Sequence, residues 1–355
     1  MNRKLLVASL ASVVLFQQES CASIFAEGVQ YIPNTSNEGG VANIPGEVWG
    51  RQTEIDASEP WCLYDVPAKK DGVSAKKDGV PETKIWYLKF QETNGVKVKI
   101  IGDVLPKFDR MTSLMILNLS NLDMPNVTKM NYVFCGCKNL IIVRLSNLNI
   151  QNVTDMSCMF KNCDRLKKVI LSDLNTQNVT NMDSMFYGCR SLKTLNLSNL
   201  NTQNVTNMRE MFAECKGLLT LDLSTLNTQH VTDMYSMFYR CEGLLTLNLS
   251  HLDTQNVTNM SEMFRDCRNL SKIDISHFDM RTVDDIEEMF HGCRSLFEMQ
   301  LNEEVRQRIN SRPEITTTYI FKGCQSLSSL PDIFSKNKFG KANGDADGCI
   351  NTLNR

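Results

Sequence analysis

Four histidines and three tryptophans in 355 residues make the chain poor in the side chain that most often shuttles protons and binds metals near neutral pH. Residues 27–95 contain no histidine at all, which argues against general acid–base catalysis in that segment. Formal net charge is −2, so there is no basic excess of the kind that binds nucleic acid or an anionic membrane surface. No apolar run after the N-terminal region reaches the ~18 residues of a membrane-spanning helix. Nucleophile elbow, phosphate loop and zinc-protease helix are all missing. These absences point to a non-enzymatic chain with no cofactor.

The N-terminus reads as a secretory signal, residues 1–22. Arg3 and Lys4 supply its charge, Leu5 to Phe16 its apolar run, and Ser20 and Ala22 the small residues for cleavage. Cleavage after Ala26 is the alternative. Lipidation at Cys21 is a second alternative, though Gln18-Glu19-Ser20 lacks the aliphatic residue such processing prefers. The next segment, 23–100, begins polar and rich in Gly, Asn and Pro. It continues through a duplicated hexapeptide, Ala68–Val73 and Ala75–Val80, read as a lengthened flexible loop rather than a basic contact site. Lys84–Phe90 and Val96–Ile100 then flank Asn94-Gly95, which predicts a hairpin capping the region after residue 100.

That region is dominated by repetition. Valines at 127, 153, 179, 205, 231, 257 and 283 open seven copies of one 26-residue unit, with no slip in spacing. Counting the valine as position 0, apolar residues fall at 0, 3, 6, 7 and 10, a stripe of roughly 120° on a helix. Thr at position 1, or the Asn before the valine, suits an N-cap. Apolar residues at 13, 16 and 18 alternate like a short strand, Ser at 19 turns the chain, and Leu at 21 returns to the core. The expected fold is therefore an α/β repeat, a leucine-rich-repeat solenoid. Each unit would contribute one short strand and one short helix, with a parallel sheet on one face. It spans 101–301, opening with a degenerate unit from Ile101 to Leu119. Residues 302–334 hold an insertion and a last partial unit (Phe321, Cys324, Leu327, Leu330), and 335–355 form a polar tail.

Several recurring residues invite chemical readings. Cysteines at 137, 163, 189, 215, 241, 267, 293 and 324 form a ladder on the apolar stripe. Buried thiols acting as small hydrophobes explain it, and scattered disulfides or a soft-metal ladder are the alternatives. Cys135 and Cys158, off the ladder on adjacent units, are the better disulfide candidates; Cys62 and Cys349 have no assigned place. Met at positions 3 and 6 fits core packing rather than a copper site. Asn-Val-Thr at Asn126, Asn152, Asn178, Asn204 and Asn256 is formally a glycosylation acceptor, but its place suits capping and bonds between units. His251 and His277 share one position and read as stacked surface residues. In the tail, Asn343, Asp345, Asp347 and Asn351 imitate a calcium loop with Gly348 at its turn. The bidentate carboxylate is replaced by Asn354, so the loop is only a candidate and no metal site is assigned.

The frame Asn-Val-Thr-x-Met-x-x-Met-Phe-x-x-Cys, continued by Leu-x-x-Leu-x-Leu-Ser-x-Leu, resembles the BspA-type leucine-rich repeats of bacterial surface proteins. That resemblance implies a secreted or surface-attached protein, with adhesion to host cells or matrix among the family's roles. No C-terminal anchor of the kind many surface members carry is recognisable. The expected function is binding of a protein or other surface macromolecule, without catalysis. A self-assembling structural or spacer protein is the alternative. The contact surface is expected at the outward strand positions, 15 and 17: Thr194, Asn196, Thr220, Asp222, Thr246, Asn248, Lys272 and Asp274. Such modest polar side chains predict weak or multivalent binding.

Overall fold

The computed structural model describes residues 30–33, 40–45, 85–91, 98–99, 103, 105, 108, 114–120, 122–301, 303 and 319–327. The signal segment, the duplicated loop, Cys21, Cys62, Cys349 and the candidate calcium loop lie outside these residues. The chain divides into two compact parts, Met1–Asn178 and Val179–Arg355.

In the first part, β1 (Gln30–Pro33) and β2 (Gly40–Pro45) pair antiparallel. β2 then pairs parallel with β3 (Ile85–Gln91). The sheet continues in parallel through β5 (Ile116–Asn118), β7 (Ile142–Arg144) and β8 (Lys168–Ile170). β4 (Val98–Lys99) pairs instead with β6 (Leu122–Asp123), also in parallel. The expected hairpin between residues 84–90 and 96–100 therefore does not form. Its two strands lie in different sheets, each extending a parallel edge of the following coil, so that they add a rung to the ladder. The hairpin is made further upstream, by β1 and β2, in a stretch whose alternation (Gln-Tyr-Ile-Pro, Val-Ala-Asn-Ile-Pro) is too short to stand out.

In the second part, β9 (Lys272–Asp274) pairs parallel with β10 (Glu298–Gln300). The equivalent residues 194–196, 220–222 and 246–248 keep the exposed–buried–exposed alternation without regular strand bonding. A single bridge joins Thr246 to Lys272.

No residue between 122 and 301 is helical, which corrects the expected helix in each repeat. The Met-x-x-Met-Phe-x-x-Cys half of each repeat is a run of turns instead. In the Val179 repeat, Met185, Tyr187 and Cys189 N–H groups bond three residues back, to Met182, Ser184 and Phe186 carbonyls. The N–H groups between them leave the repeat altogether. Met182, Ser184, Phe186 and Gly188 donate to Asn207, Arg209, Met211 and Ala213 of the next repeat at 2.7–3.0 Å. Turning every second N–H outward needs left-handed backbone at positions 5 and 9, found at Ser184 (φ 53°), Glu210 (53°) and Glu214 (58°). An L-residue there costs roughly 1–2 kcal/mol, which the bond to the neighbouring repeat offsets.

Spacing explains why the ladder wins. Packed helices need about 8–10 Å between axes, whereas parallel strands repeat every ~4.8 Å. Turns can match the strand spacing. Phe212, Phe238, Phe264 and Phe290 accordingly stack with ring centroids 5.4–5.6 Å apart. Periodicity at 0, 3, 6, 7 and 10 marks the same inward residues in either conformation. Val, Met, Met, Phe and Cys at these positions, and Leu at position 13, are buried in the Val205, Val231 and Val257 repeats. The stack extends to the partial unit at 319–327. Phe321 stacks on Phe290 at 5.6 Å, and Phe290 and Gly292 N–H groups reach Ile320 and Lys322 carbonyls. The interval from Phe290 to Phe321 exceeds the repeat by five residues, as the insertion requires.

Candidate functional site

Three corners bend each of the Val179, Val205, Val231 and Val257 repeats, and each is held by an Asx side chain bonding the N–H two residues on. At position 2, Asn207 and Asp233 bond Arg209 and Tyr235 N–H groups at 3.0 and 2.8 Å. At position 22, Asn201, Asn227 and Asp253 do the same. At position 17, Asn196, Asp222, Asn248 and Asp274 accept the N–H of Ser198, Ser224, Ser250 and Ser276 at 2.9–3.0 Å. The four outward residues at position 17 thus build the turn as well as facing solvent. Hydrogen bonds from the Ser224 hydroxyl and N–H hold the Asp222 carboxyl below its usual range, and Ser276 does the same for Asp274.

All eight residues expected on the contact surface are exposed. At position 15 these are Thr194, Thr220, Thr246 and Lys272. Lys272 is ion-paired with Glu298 on the next rung, and its ammonium lies 5.3 Å from the Phe297 ring centroid. Position 14, absent from the expected surface, also faces outward. The Ser271 carbonyl accepts both Phe297 N–H (3.0 Å) and Glu298 N–H (3.4 Å), and Ile141 does likewise for Lys167 and Lys168. This bulge-like pairing turns two consecutive residues to one side. Phe297 is consequently 49 % exposed, and Leu219 and Leu245 at the same position are 46 and 58 % exposed. The doubled leucines, Leu218-Leu219 and Leu244-Leu245, carried the signal: strict alternation has no inward place for the second.

Of the recurring residues that invited chemistry, the ladder cysteines and the methionines at positions 3 and 6 lie inside. Every described cysteine is a thiol, Cys135 half-buried and the rest, Cys158 included, buried. Along the ladder S–H groups donate to the Phe carbonyl of the preceding repeat, as from Cys215 to Phe186, Cys241 to Phe212 and Cys267 to Phe238, all at 3.1 Å. Burial pushes the Cys215 and Cys267 thiols up to about 12, leaving them protonated and poor nucleophiles.

Asn-Val-Thr caps no helix, because none comes after it. Asn152, Asn178 and Asn256 side-chain amides donate instead to Pro125, Gln151 and Gln229 carbonyls of the preceding repeat at 2.6–2.7 Å. Position 23, outside the apolar pattern of the repeat, is also buried. Thr202, Thr228 and Thr254 are 1–2 % exposed, and their hydroxyls donate to the Asn227, Asp253 and Asp279 carbonyls of the next repeat. Met124, Ile150 and Met280 at the same position were the clue, since apolar residues take the place of threonine there. His277 reaches back to the Leu249 carbonyl at 2.8 Å, while His251 lies beside Ser250 Oγ.

A cleft of about 430 Å³ opens among Arg209, Tyr235, Asn259, Ser261, Glu262, Asp285, Glu287 and Glu288. Its polar groups largely satisfy one another. Arg209 lies 4.2 Å over the Tyr235 ring, the Tyr235 hydroxyl donates to Glu262 at 3.0 Å, and Arg265 pairs with Glu262 and Glu288. Burial, then Asp285, Glu288 and Glu262, raises the Glu287 carboxyl. Among the described residues no group of three His, Cys, Asp or Glu side chains is arranged to hold a metal ion. No helix among them is long and apolar enough to cross a membrane.

No curated protein matches the chain. Solved structures similar to it include the leucine-rich repeat protein of T. pallidum, 15 % identical over 87 % of this chain and 90 % of that one, TM-score 0.30. Another is a leucine-rich repeat protein from Eubacterium ventriosum ATCC 27560, 16 % identical over 70 and 72 %, TM-score 0.36. A third is a leucine-rich cell surface protein from Faecalibacterium prausnitzii A2-165, 14 % identical over 86 and 95 %, TM-score 0.20. Residues 103–220 and 218–332, most of the chain and all seven repeats, match the model of the family described as Mycoplasma protein of unknown function, DUF285, and the chain belongs to that family.

Proposed function

We propose that this chain is an exported, non-catalytic leucine-rich-repeat solenoid that binds a protein or other surface macromolecule through its outward face. One observation carries the reading. The repeated residues able to do chemistry are largely engaged in packing or in bonds between repeats, whereas positions 15 and 17 of the Val205, Val231 and Val257 repeats, with position 14 of the first two, offer exposed side chains on successive rungs. The BspA-type resemblance favours a surface partner.

The test is a pull-down of surface extracts with the mature chain and with Thr220→Arg/Thr246→Arg, two exposed changes that leave the core untouched. Retention of a specific partner by the parent and its loss by the variant is the expected result. Equal capture by both, or none by either, refutes the assignment of the face. Concentration-dependent sedimentation of the parent would favour the self-assembling alternative.

A further inference from the structure

We propose that the outward face of the Val205 to Val283 repeats is built for a cationic, amphipathic polypeptide segment, one bearing Lys or Arg beside apolar side chains. The proposal rests on the reading of this face as the contact surface and names the chemistry of the partner.

Two parallel stripes carry it. Along position 14, Leu219, Leu245 and Phe297 are each about half exposed, interrupted only by Ser271. Leu219 and Leu245 stand on adjacent rungs and Phe297 two rungs further on, giving the face an apolar edge of the kind that meets a partner. Along position 17, three residues on, Asp222 and Asp274 alternate with Asn248. Both carboxyls are exposed and held ionised by their serines. Position 15 between the stripes adds hydroxyls from Thr220 and Thr246, and the charge of Lys272 is balanced by Glu298. Among the described residues neither Asp222 nor Asp274 has an ion-pair partner, so across these rungs the face presents an apolar edge and a negative edge. Lys193 occupies position 14 on the preceding rung and sets the limit of the site. Charge complementarity selects a basic partner over an acidic one, and the apolar edge selects an amphipathic partner over a purely polar one.

The chain itself supplies the variant that separates charge from fold. Asn196 and Asn248 accept the same Ser N–H, at 2.9 and 3.0 Å, that Asp222 and Asp274 accept on their own rungs. Asp222→Asn/Asp274→Asn thus removes two charges while the turn acceptor stays. Binding is read by fluorescence anisotropy of a labelled synthetic peptide alternating Lys and Leu, against the mature chain at low and physiological salt.

The peptide should bind, more weakly as salt rises. Asp222→Asn/Asp274→Asn should weaken it about tenfold and flatten the salt dependence. Leu245→Ser/Phe297→Ser should weaken it about tenfold with the salt dependence kept. A peptide alternating Glu and Leu should not bind. Failure of the Lys/Leu peptide to bind, parent-like binding by either variant, or equal binding of a Lys/Ser peptide overturns the proposal. If those arms fail while Thr220→Arg/Thr246→Arg still abolishes capture of a surface partner, the contact face stands and only the partner chemistry is wrong.

Discussion

Cys241→Ala tests whether the cysteine ladder is packing with a hydrogen bond attached. Cys241 is fully buried, and its thiol donates to the Phe212 carbonyl at 3.1 Å. Removing the sulfur loses about 1 kcal/mol of transfer free energy and about 0.5 kcal/mol for the small cavity left behind. The lost S–H bond adds roughly 0.5–1 kcal/mol. The larger penalty of a stranded acceptor does not apply, because the Phe212 carbonyl also accepts the Cys215 N–H at 3.2 Å. The expected loss is about 2 kcal/mol. Hydrogen exchange of the Phe238 and Phe264 amides in reducing buffer reads it locally, and urea unfolding reads it globally. Both N–H groups bond to the next repeat, so their protection reports the rung itself. A loss under about 0.5 kcal/mol would mean the buried thiol supplies neither the packing nor the hydrogen bond assigned to it. One above about 4 kcal/mol would mean the carbonyl does depend on the thiol.

The same geometry sets three further outcomes. Cys215 and Cys267 have folded pKa values raised from 9.0 to about 12, so their contribution is complete below pH 9 and lost as pH rises towards 12. Cys215→Ala/Cys267→Ala should flatten the alkaline limb of a stability–pH curve, and an unchanged limb would assign it to Tyr187, Tyr235 and Tyr239, which burial also raises. His291 is shifted the other way, lowered chiefly by burial, with its Nδ1 buried and lacking a hydrogen-bond partner. Its contribution is complete above the ordinary value of 6.5 and falls as pH drops below it, so His291→Gln should reduce the acid sensitivity of melting. Equal acid sensitivity would refute this assignment. Thr228→Val keeps the shape at position 23 but leaves the Asp253 carbonyl without its hydroxyl donor, at a cost of about 1–2 kcal/mol by urea unfolding. A neutral substitution there would show that apolar filling alone suffices, as Ile150 and Met280 suggest for their own rungs.

The period, the inward positions and the outward polarity were legible in the amino-acid order alone. They depend on burial, and burial depends on which residues recur. Met182, Phe186, Cys189 and Leu192 had to face inward whatever the backbone did between them. The five-residue displacement of Phe321 and Cys324 was equally visible, because registering against a fixed repeat requires only counting. What the order of residues could not decide was where alternate N–H groups go. A helix returns them to its own carbonyls; the ladder sends those of Ser184, Phe186 and Gly188 to the next repeat, and only the stacked neighbour makes that second choice available. The same neighbour made Ile85–Gln91 a parallel rung instead of half a hairpin, and turned Asn152 and Asn256 from caps into bridges between repeats. It also set the bulge at Phe297, exposed at position 14 as Leu219 and Leu245 are on their own rungs, beside the expected Thr and Asp positions. Local sequence determined which side chains are buried; hydrogen bonding between repeats, which exists only once they stack, decided the backbone that carries them.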